Sequence, residues 1–302
     1  MTEALLRSWP AGRARAEDRL DGQGTPKIVV ALQNRGGRLR VDFTGSSPQV
    51  TGSWNTHRAV VCSALFYVLQ ALAPEELPES SGVLERVDLV LPEGSVVSSC
   101  FPAGVAAGNV ETSQRITDVL LAALAGLLGE VVPAASQGTM NNWTAGGDHP
   151  GGGQWVYYET VGGGAGAGPA GDGASAVQVH MTNTRNTPVE VMEAELPVLI
   201  RELCLRRGSG GAGRHRGGDG LVKEIEFLVP ARVSVIATRR NSAPAGAAGG
   251  GDGRPGRDQA VIGGKLRRLQ AGESVSLRPG DRICITTPGG GGWGRSREGS
   301  AD

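Results

Sequence analysis

The chain has 302 residues, enough to bury a substantial core as one large domain or two small ones. Lys and Arg number 30 and Asp and Glu 30, so no net field draws it toward nucleic acid or an anionic membrane. The longest apolar stretch, Ala59 to Leu72, is interrupted by Ser63 and Gln70 and is too short to span a bilayer. The N-terminus carries charges where a secretory signal needs an apolar run, and a cytoplasmic protein with no membrane or nucleic-acid partner is expected.

Lys27–Leu32 and Leu39–Phe43 read as the arms of a hairpin turning at Asn34-Arg35-Gly36-Gly37. Ala59–Leu72 is apolar on most faces, which predicts a long buried helix. Val87–Leu91 alternates as a strand and is closed by Pro92-Glu93-Gly94. Ile116, Val119, Leu120, Ala123, Leu124, Leu127 and Leu128 fall on one face of a second, amphipathic helix. Asn109 or Thr112 is placed to cap its start and Gly129 to end it. Ser136–Glu195 shows little periodicity. Glu202–Arg206, Val222–Val229, Val233–Arg239, Val261–Leu269 and Arg282–Thr286 then read as strands, so the expected fold is mixed α+β with a β-rich C-terminal region.

Glycine is the outlier: there are 49, far above the average of about 7%. Gly162–Gly168 and Gly289–Gly292 read as backbone that bends sharply or closely approaches another group. Ala243–Asp258 and the tail after Trp293 read as disordered. Cys62, Cys100, Cys204 and Cys284 form no CxxC pair. Cys62 and Cys284, in apolar runs, are expected to be buried small hydrophobes. No His lies at helical spacing from another, and no metal ligand is assigned in this chain.

The chain contains no GxxxxGK[ST], GxSxG or HExxH sequence, and no strand–helix unit follows the loose glycine register of Gly162–Gly168. Its polar residues lie in glycine-rich clusters instead: Asp42–Ser47, Ser136–Asn142, Tyr157–Thr160 and His180–Asn186. Uncharged hydrogen-bonding groups on tight loops suit a small, planar, polar ligand such as an amide or imide ring. Turn and cap formation is the competing use of the same residues.

Val41–Val50 with Gly52 and Asn55, Ala107–Arg115, Ser136–Asn142, Tyr157–Thr160, His180–Thr184, Ser209–Gly220 and Pro288–Gly294 occur in this order. Together these blocks resemble the C-terminal half of the hydantoinase B/oxoprolinase family, over about Ala11 to Gly294, with residues 295–302 as a tail. The wording of Ser136–Asn142 and Tyr157–Thr160 is most similar to the oxoprolinase branch.

The resemblance implies part of an ATP-dependent hydrolase of cyclic amides, with 5-oxo-L-proline opened to L-glutamate in the glutathione cycle. ATP and Mg2+ would sit on a hydantoinase A-like partner region, where phosphorylation of the lactam oxygen creates a leaving group. The family's N-terminal half, with its acidic and histidine block associated with metal in related carboxylases, is missing from this sequence; a divalent metal is expected there. An oligomer with complementary chains is expected, because a divided domain leaves apolar surface open. The chain reads equally as a split subunit, a truncated gene product or an inactive interaction module. An N-methylhydantoinase or acetone-carboxylase-like subunit is the remaining alternative.

For substrate contacts the resemblance and the residues together point to Asn109, Thr112, Ser113 and Arg115, at a helix start that favours anions. Arg115 is suited to grip a substrate carboxylate, against a salt bridge to Asp118. Asn141 and Asn142 are candidates for the ring amide, with Asn183 and Arg185 as further contacts. Glu159 is the candidate general base, against an ion-pair or capping role. Arg214, His215 and Arg216 among glycines resemble an anion loop, or serve as turn backbone.

Overall fold

The computed structural model describes residues 1–22, 24–78 and 80–296, in two units, Met1–Pro133 and Ala134–Asp302. Residues 297–302 of the tail expected to be disordered lie outside the described residues.

The first unit contains α1 (Thr2–Ser8), β1 (Gly12–Arg19), β2 (Lys27–Arg35), β3 (Arg38–Asp42), α2 (Arg58–Leu72), β4 (Val87–Val90) and α3 (Ser113–Leu128). The expected hairpin forms as β2 and β3, turning at Gly36 and Gly37 with φ of 57° and 86°. β1 adds antiparallel to β2 and β4 parallel to β3, giving the order β1-β2-β3-β4. Helix α3 lies across β1 and β2, and small residues set how close it comes. A Cβ on Gly126 would stand 3.3 Å from Ala14, and one on Gly12 would stand 3.0 Å from Leu127. Helix α2 buries Val61, Ala64, Leu65, Val68 and Leu69 but leaves Ala59, Ser63 and Ala71 exposed. It therefore buries one side, not the whole circumference that its composition suggests.

The second unit contains β5 (Asn142–Asp148), β6 (Gln154–Thr160), α4 (Val189–Glu195), β7 (Val198–Arg206), β8 (Gly220–Phe227) and β9 (Ala231–Ile236). It continues with β10 (Arg257–Ile262), β11 (Lys265–Arg268), β12 (Glu273–Leu277) and β13 (Arg282–Thr286). These build two antiparallel sheets, β11-β10-β13-β8-β7 and β12-β9-β5-β6. Trp143, Val233 and Val235 of one sheet share a core with Ile225, Phe227, Ile283 and Ile285 of the other. The β-rich C-terminal region is thus as expected, with corrections of detail. Val261–Leu269 is a hairpin turning at Gly263 and Gly264, not one strand. Ser136–Glu195 holds β5, β6 and α4. Cys62 and Cys284 are partly exposed free thiols, not fully buried ones.

Much of the remaining chain in this unit is a bundle of extended glycine-rich segments. Successive N–H groups of one segment reach different neighbours. Gly289 donates to Arg254, Gly290 to Gly218, Gly291 to Ala135, Gly292 to Gly251, Trp293 to His215 and Gly294 to Ala247. Ala135 is itself bonded to Ala245, so the partners recur at every third residue. That is the rotation of an extended helix with three residues per turn, whereas a strand alternates with period two. Side chains do not fit between such segments. A Cβ on Gly290 would lie 2.0 Å from the Ala165 carbonyl oxygen, and one on Gly292 would lie 2.2 Å from that of Ala212. The close approach expected at Gly162–Gly168 and Gly289–Gly292 is therefore present. Ala243–Asp258, expected to be disordered, instead belongs to the bundle, because Ala245, Ala247, Gly251 and Arg254 all accept bonds within it.

Asp219 ties the same region together. Its Oδ1 accepts the N–H groups of Ser209 and Gly210, each at 2.8 Å. Burial pushes the carboxyl up, but the backbone donors outweigh it and hold the group below its ordinary value.

Gly290→Ala is expected to cost at least about 3 kcal/mol in urea unfolding, because the new Cβ meets rigid backbone. Gly171→Ala, with nothing within 4 Å of its added Cβ, is expected to stay within about 0.5 kcal/mol of the parent. Asp219→Asn is expected to lose about 1–2 kcal/mol at neutral pH. Because folding depresses the Asp219 carboxyl, its contribution is complete above the reference value of 3.8 and fades as pH falls below it. Unfolding curves of parent and variant are expected to converge under acid.

Candidate active site

The pleat of β5 and β6 sorts their polar residues by face. Trp143 and Glu159 are cross-strand partners, and Trp143 points into the core. Asn142, Thr144, Tyr158 and Thr160 stand on the opposite face. There the Tyr158 O–H donates to Asn142 Oδ1 at 2.5 Å, while Asn142 Nδ2 donates to the Ile236 carbonyl at 2.8 Å. Thr160 Oγ1 lies 2.5 Å from Thr184 Oγ1 and accepts from Gln178 Nε2 at 3.1 Å. Asn186 Nδ2 donates to the Thr160 carbonyl at 2.8 Å. These bonds hold the 178–187 segment against the end of β6 and leave Asn183, Thr184 and Arg185 exposed. Arg185 makes no hydrogen bond or ion pair among the described residues. Asn142 and Thr160 are themselves buried, and their side chains are taken up by these bonds. Of the candidates, Asn183 and Arg185, with Tyr158, are thus the exposed ones on this rim. They offer a hydroxyl, an amide and a guanidinium, groups able to bind a polar anionic ligand.

Glu159 faces away from this rim. It is 6% exposed; one oxygen accepts from Trp143 Nε1 at 3.1 Å and from Lys223, and the other accepts the Thr187 N–H at 3.0 Å. Lys223 Nζ also lies 5.8 Å from the Trp143 ring centroid. With both oxygens occupied by protein donors, Glu159 has the geometry of a buried ion pair, the alternative to a general base. Tyr157 beside it is pushed up to about 12 by burial, with Glu159 adding to the shift; its hydroxyl donates to Thr187 Oγ1 at 2.7 Å.

Asn141 is also engaged internally. Its φ of 49° is left-handed, a conformation that Asn tolerates better than most residues. Its amide donates to Gln137 Oε1 at 2.7 Å and to the Val161 carbonyl at 2.8 Å, and it accepts from Arg240 at 2.7 Å. Arg240 in turn grips both oxygens of Asp258, at 2.9 and 2.8 Å.

The other candidates lie in the first unit. The backbone before α3 forms a wider turn over Gly108–Thr112. The N–H of Thr112 bonds to Ala107 and that of Ser113 to Gly108. The open donors expected at the helix start are therefore already satisfied. The Thr112 hydroxyl donates to the Trp54 carbonyl at 2.5 Å, and that of Ser113 to the Asn109 carbonyl at 2.9 Å. Arg115, expected to grip a substrate carboxylate, is fully buried and paired with Asp18 at 2.6 Å and Asp118 at 3.5 Å. Asn109 alone of the four is exposed.

Lys223, Arg240 and Asp258 complete the polar framework and lie outside the sequence motifs, whereas Tyr158 lies inside the Tyr157–Thr160 block but is not among the predicted contacts. A signal for Lys223 exists in the sequence: with Ile225 and Phe227 it occupies alternate positions of β8, which places a lysine among core residues. Arg240 and Asp258 lie far apart in sequence and carry no such local mark. Among the described residues no group of three His, Cys, Asp or Glu could hold a metal ion, and no helix is long and apolar enough to cross a membrane.

Lys223→Met is expected to destabilise the chain by about 3–5 kcal/mol, since it strands a buried carboxylate. Adding Glu159→Gln is expected to recover much of that loss, which a double-mutant cycle in urea measures.

The family described as Hydantoinase B/oxoprolinase matches residues 1–296. The chain is 43% identical over 279 residues to 5-oxoprolinase 1 of Arabidopsis thaliana, covering 92% of this chain and 21% of that protein. It is 42% identical over 279 residues to 5-oxoprolinase of Dictyostelium discoideum, with the same coverage of 92% and 21%. The crystal structure of the ATP-dependent caprolactamase from Pseudomonas jessenii superposes with a TM-score of 0.86 at 27% identity, over 97% of this chain and 53% of that one. The chain thus spans about a fifth of these two oxoprolinases and half of the caprolactamase chain. The glycine-rich blocks, the paired sheets and this match over nearly every residue lead to one conclusion: the chain belongs to the hydantoinase B/oxoprolinase family.

Proposed function

We propose that this chain forms the C-terminal part of the hydantoinase B-like component of an ATP-dependent cyclic-amide hydrolase, with 5-oxo-L-proline as substrate and L-glutamate as product. The observation that carries this reading is the 43% identity to a plant 5-oxoprolinase across 92% of the chain. ATP and Mg2+ belong in this reading to a hydantoinase A-like partner, and any divalent metal to the preceding half of the B-like region. An amide carbonyl is a poor electrophile; phosphorylation of its oxygen activates the ring carbon. Water then adds there, the C–N bond breaks to free the amine, and a second water releases phosphate and leaves the carboxylate. This chain's contribution is binding and orientation. Tyr158, oriented by its bond to Asn142, faces the ring amide, while Asn183 and Arg185 hold the carboxylate. Arg115, Asn141 and Glu159 maintain the scaffold.

The decisive assay is ATP-dependent glutamate release from 5-oxoproline, by the chain alone and mixed with the hydantoinase A-like component and the N-terminal part of the B-like component. Activity confined to the mixture is the expected result. A folded, assembled mixture that opens another lactam or hydantoin but leaves 5-oxoproline intact overturns the substrate assignment. In the active assembly, Arg185→Ala is expected to raise KM at least about tenfold, the loss of one charged contact, with kcat changed much less. Arg115→Ala is expected to lower the unfolding midpoint instead, by breaking a buried pair.

A further inference from the structure

The glycine-rich bundle opens on one charged cleft of about 910 Å³ in the second unit. Arg214, Arg216 and Arg254 line it, and all three are exposed. Their side chains make no hydrogen bond or ion pair among the described residues. Asp252 is the carboxylate on the lining, and one of its oxygens accepts the Gly246 N–H at 2.9 Å. On the lining itself three guanidiniums face one carboxylate, a local positive excess suited to an anion, with Asp172 and Asp219 next to Arg216 behind it. The excess also acts beyond the cleft: burial pushes Arg206 down, and Arg254 is the first of its neighbours to push it further.

The backbone adds an independent sign. From Ser209 to Gly220 each N–H has a bonded partner, except those of Ala212 and Gly213. Both of these residues line the cleft beside Arg214; the Ala212 carbonyl accepts the Gly251 N–H at 2.6 Å, while neither residue's N–H donates to a partner among the described residues. Adjacent open N–H groups in a glycine-rich loop, flanked by arginines, form an anion-binding arrangement. His215 sits on the same lining, 3.7 Å from Asp172.

We propose that this cleft is a binding site for a phosphate-bearing anion, held by Arg214, Arg216 and Arg254 and by the N–H groups of Ala212 and Gly213. Guanidinium forks from separate segments and two main-chain donors suit a tetrahedral dianion better than a planar monoanionic carboxylate. The site is distinct from the Tyr158–Arg185 rim and stands whether or not 5-oxoproline is the substrate.

The test is calorimetric titration of the full chain at constant ionic strength with inorganic phosphate, pyrophosphate and ATP, with acetate as control. Saturable binding of a phosphate species over acetate is expected, and the probe that binds tightest separates a free phosphate from a diphosphate or nucleotide source. Arg214→Ser/Arg216→Ser is expected to weaken it at least about tenfold, with an unchanged unfolding curve. Arg254→Ser is expected to act in the same direction. Absence of saturable binding by all three probes, equal binding of acetate, or full affinity in the folded double variant overturns the proposal.

Discussion

The second unit depends on backbone lying directly against backbone. Where Gly290 passes Ala165, or Gly217 passes Gly290, a Cβ would stand 2.0 Å from a carbonyl oxygen, so each crossing admits glycine alone. The benefit is dense hydrogen bonding without regular secondary structure. Consecutive N–H groups of Gly289–Gly294 reach partners scattered from Ala135 to Arg254. The cost is entropic, since glycine loses more conformational freedom on folding than any other residue. The two-sheet core supplies apolar burial that helps offset that cost.

Charged side chains in this unit divide between two tasks. Glu159 with Lys223, and Arg240 with Asp258, are buried and saturated by protein partners. Such pairs fix geometry at a desolvation cost and contribute specificity more readily than stability. Arg185, Arg214, Arg216 and Arg254 are exposed with no pairing of this kind among the described residues. The first group shapes the rim and the bundle; the second is available to ligands. Arg115 shows why residue type alone does not separate the two tasks. Its helix position suggested an anion site, yet Asp18, 97 positions earlier, claims it.

Local periodicity made the first hairpin, α3 and most C-terminal strands legible. The family blocks pointed to the Asn183–Arg185 rim. Other parts were hidden for physical reasons. β5 reads Asn-Trp-Thr-Ala-Gly-Gly-Asp, and its outward Asn, Thr and Gly disguise an otherwise alternating strand. Ala243–Asp258 has the composition of a flexible linker, and its order rests on local turns together with partners distant in sequence, which composition does not reveal. The start of α3 carries capping residues, but the wider turn before it uses the donors that a cap would satisfy. Lys223 was visible only to strict alternation, because a lysine on a strand ordinarily implies solvent.

The position of Gly289–Gly294 at the junction of the bundle bears on how the unit assembles. Its partners at Ala135, His215, Gly218, Ala247, Gly251 and Arg254 all precede it in the chain. During synthesis, those segments leave the ribosome before the strand that bridges them exists. Until it arrives their donors and acceptors must be satisfied by water, with loops of many residues still to close. Completion of this unit therefore waits on the segment that joins partners made earlier, so its bundle closes late and through contacts distant in sequence.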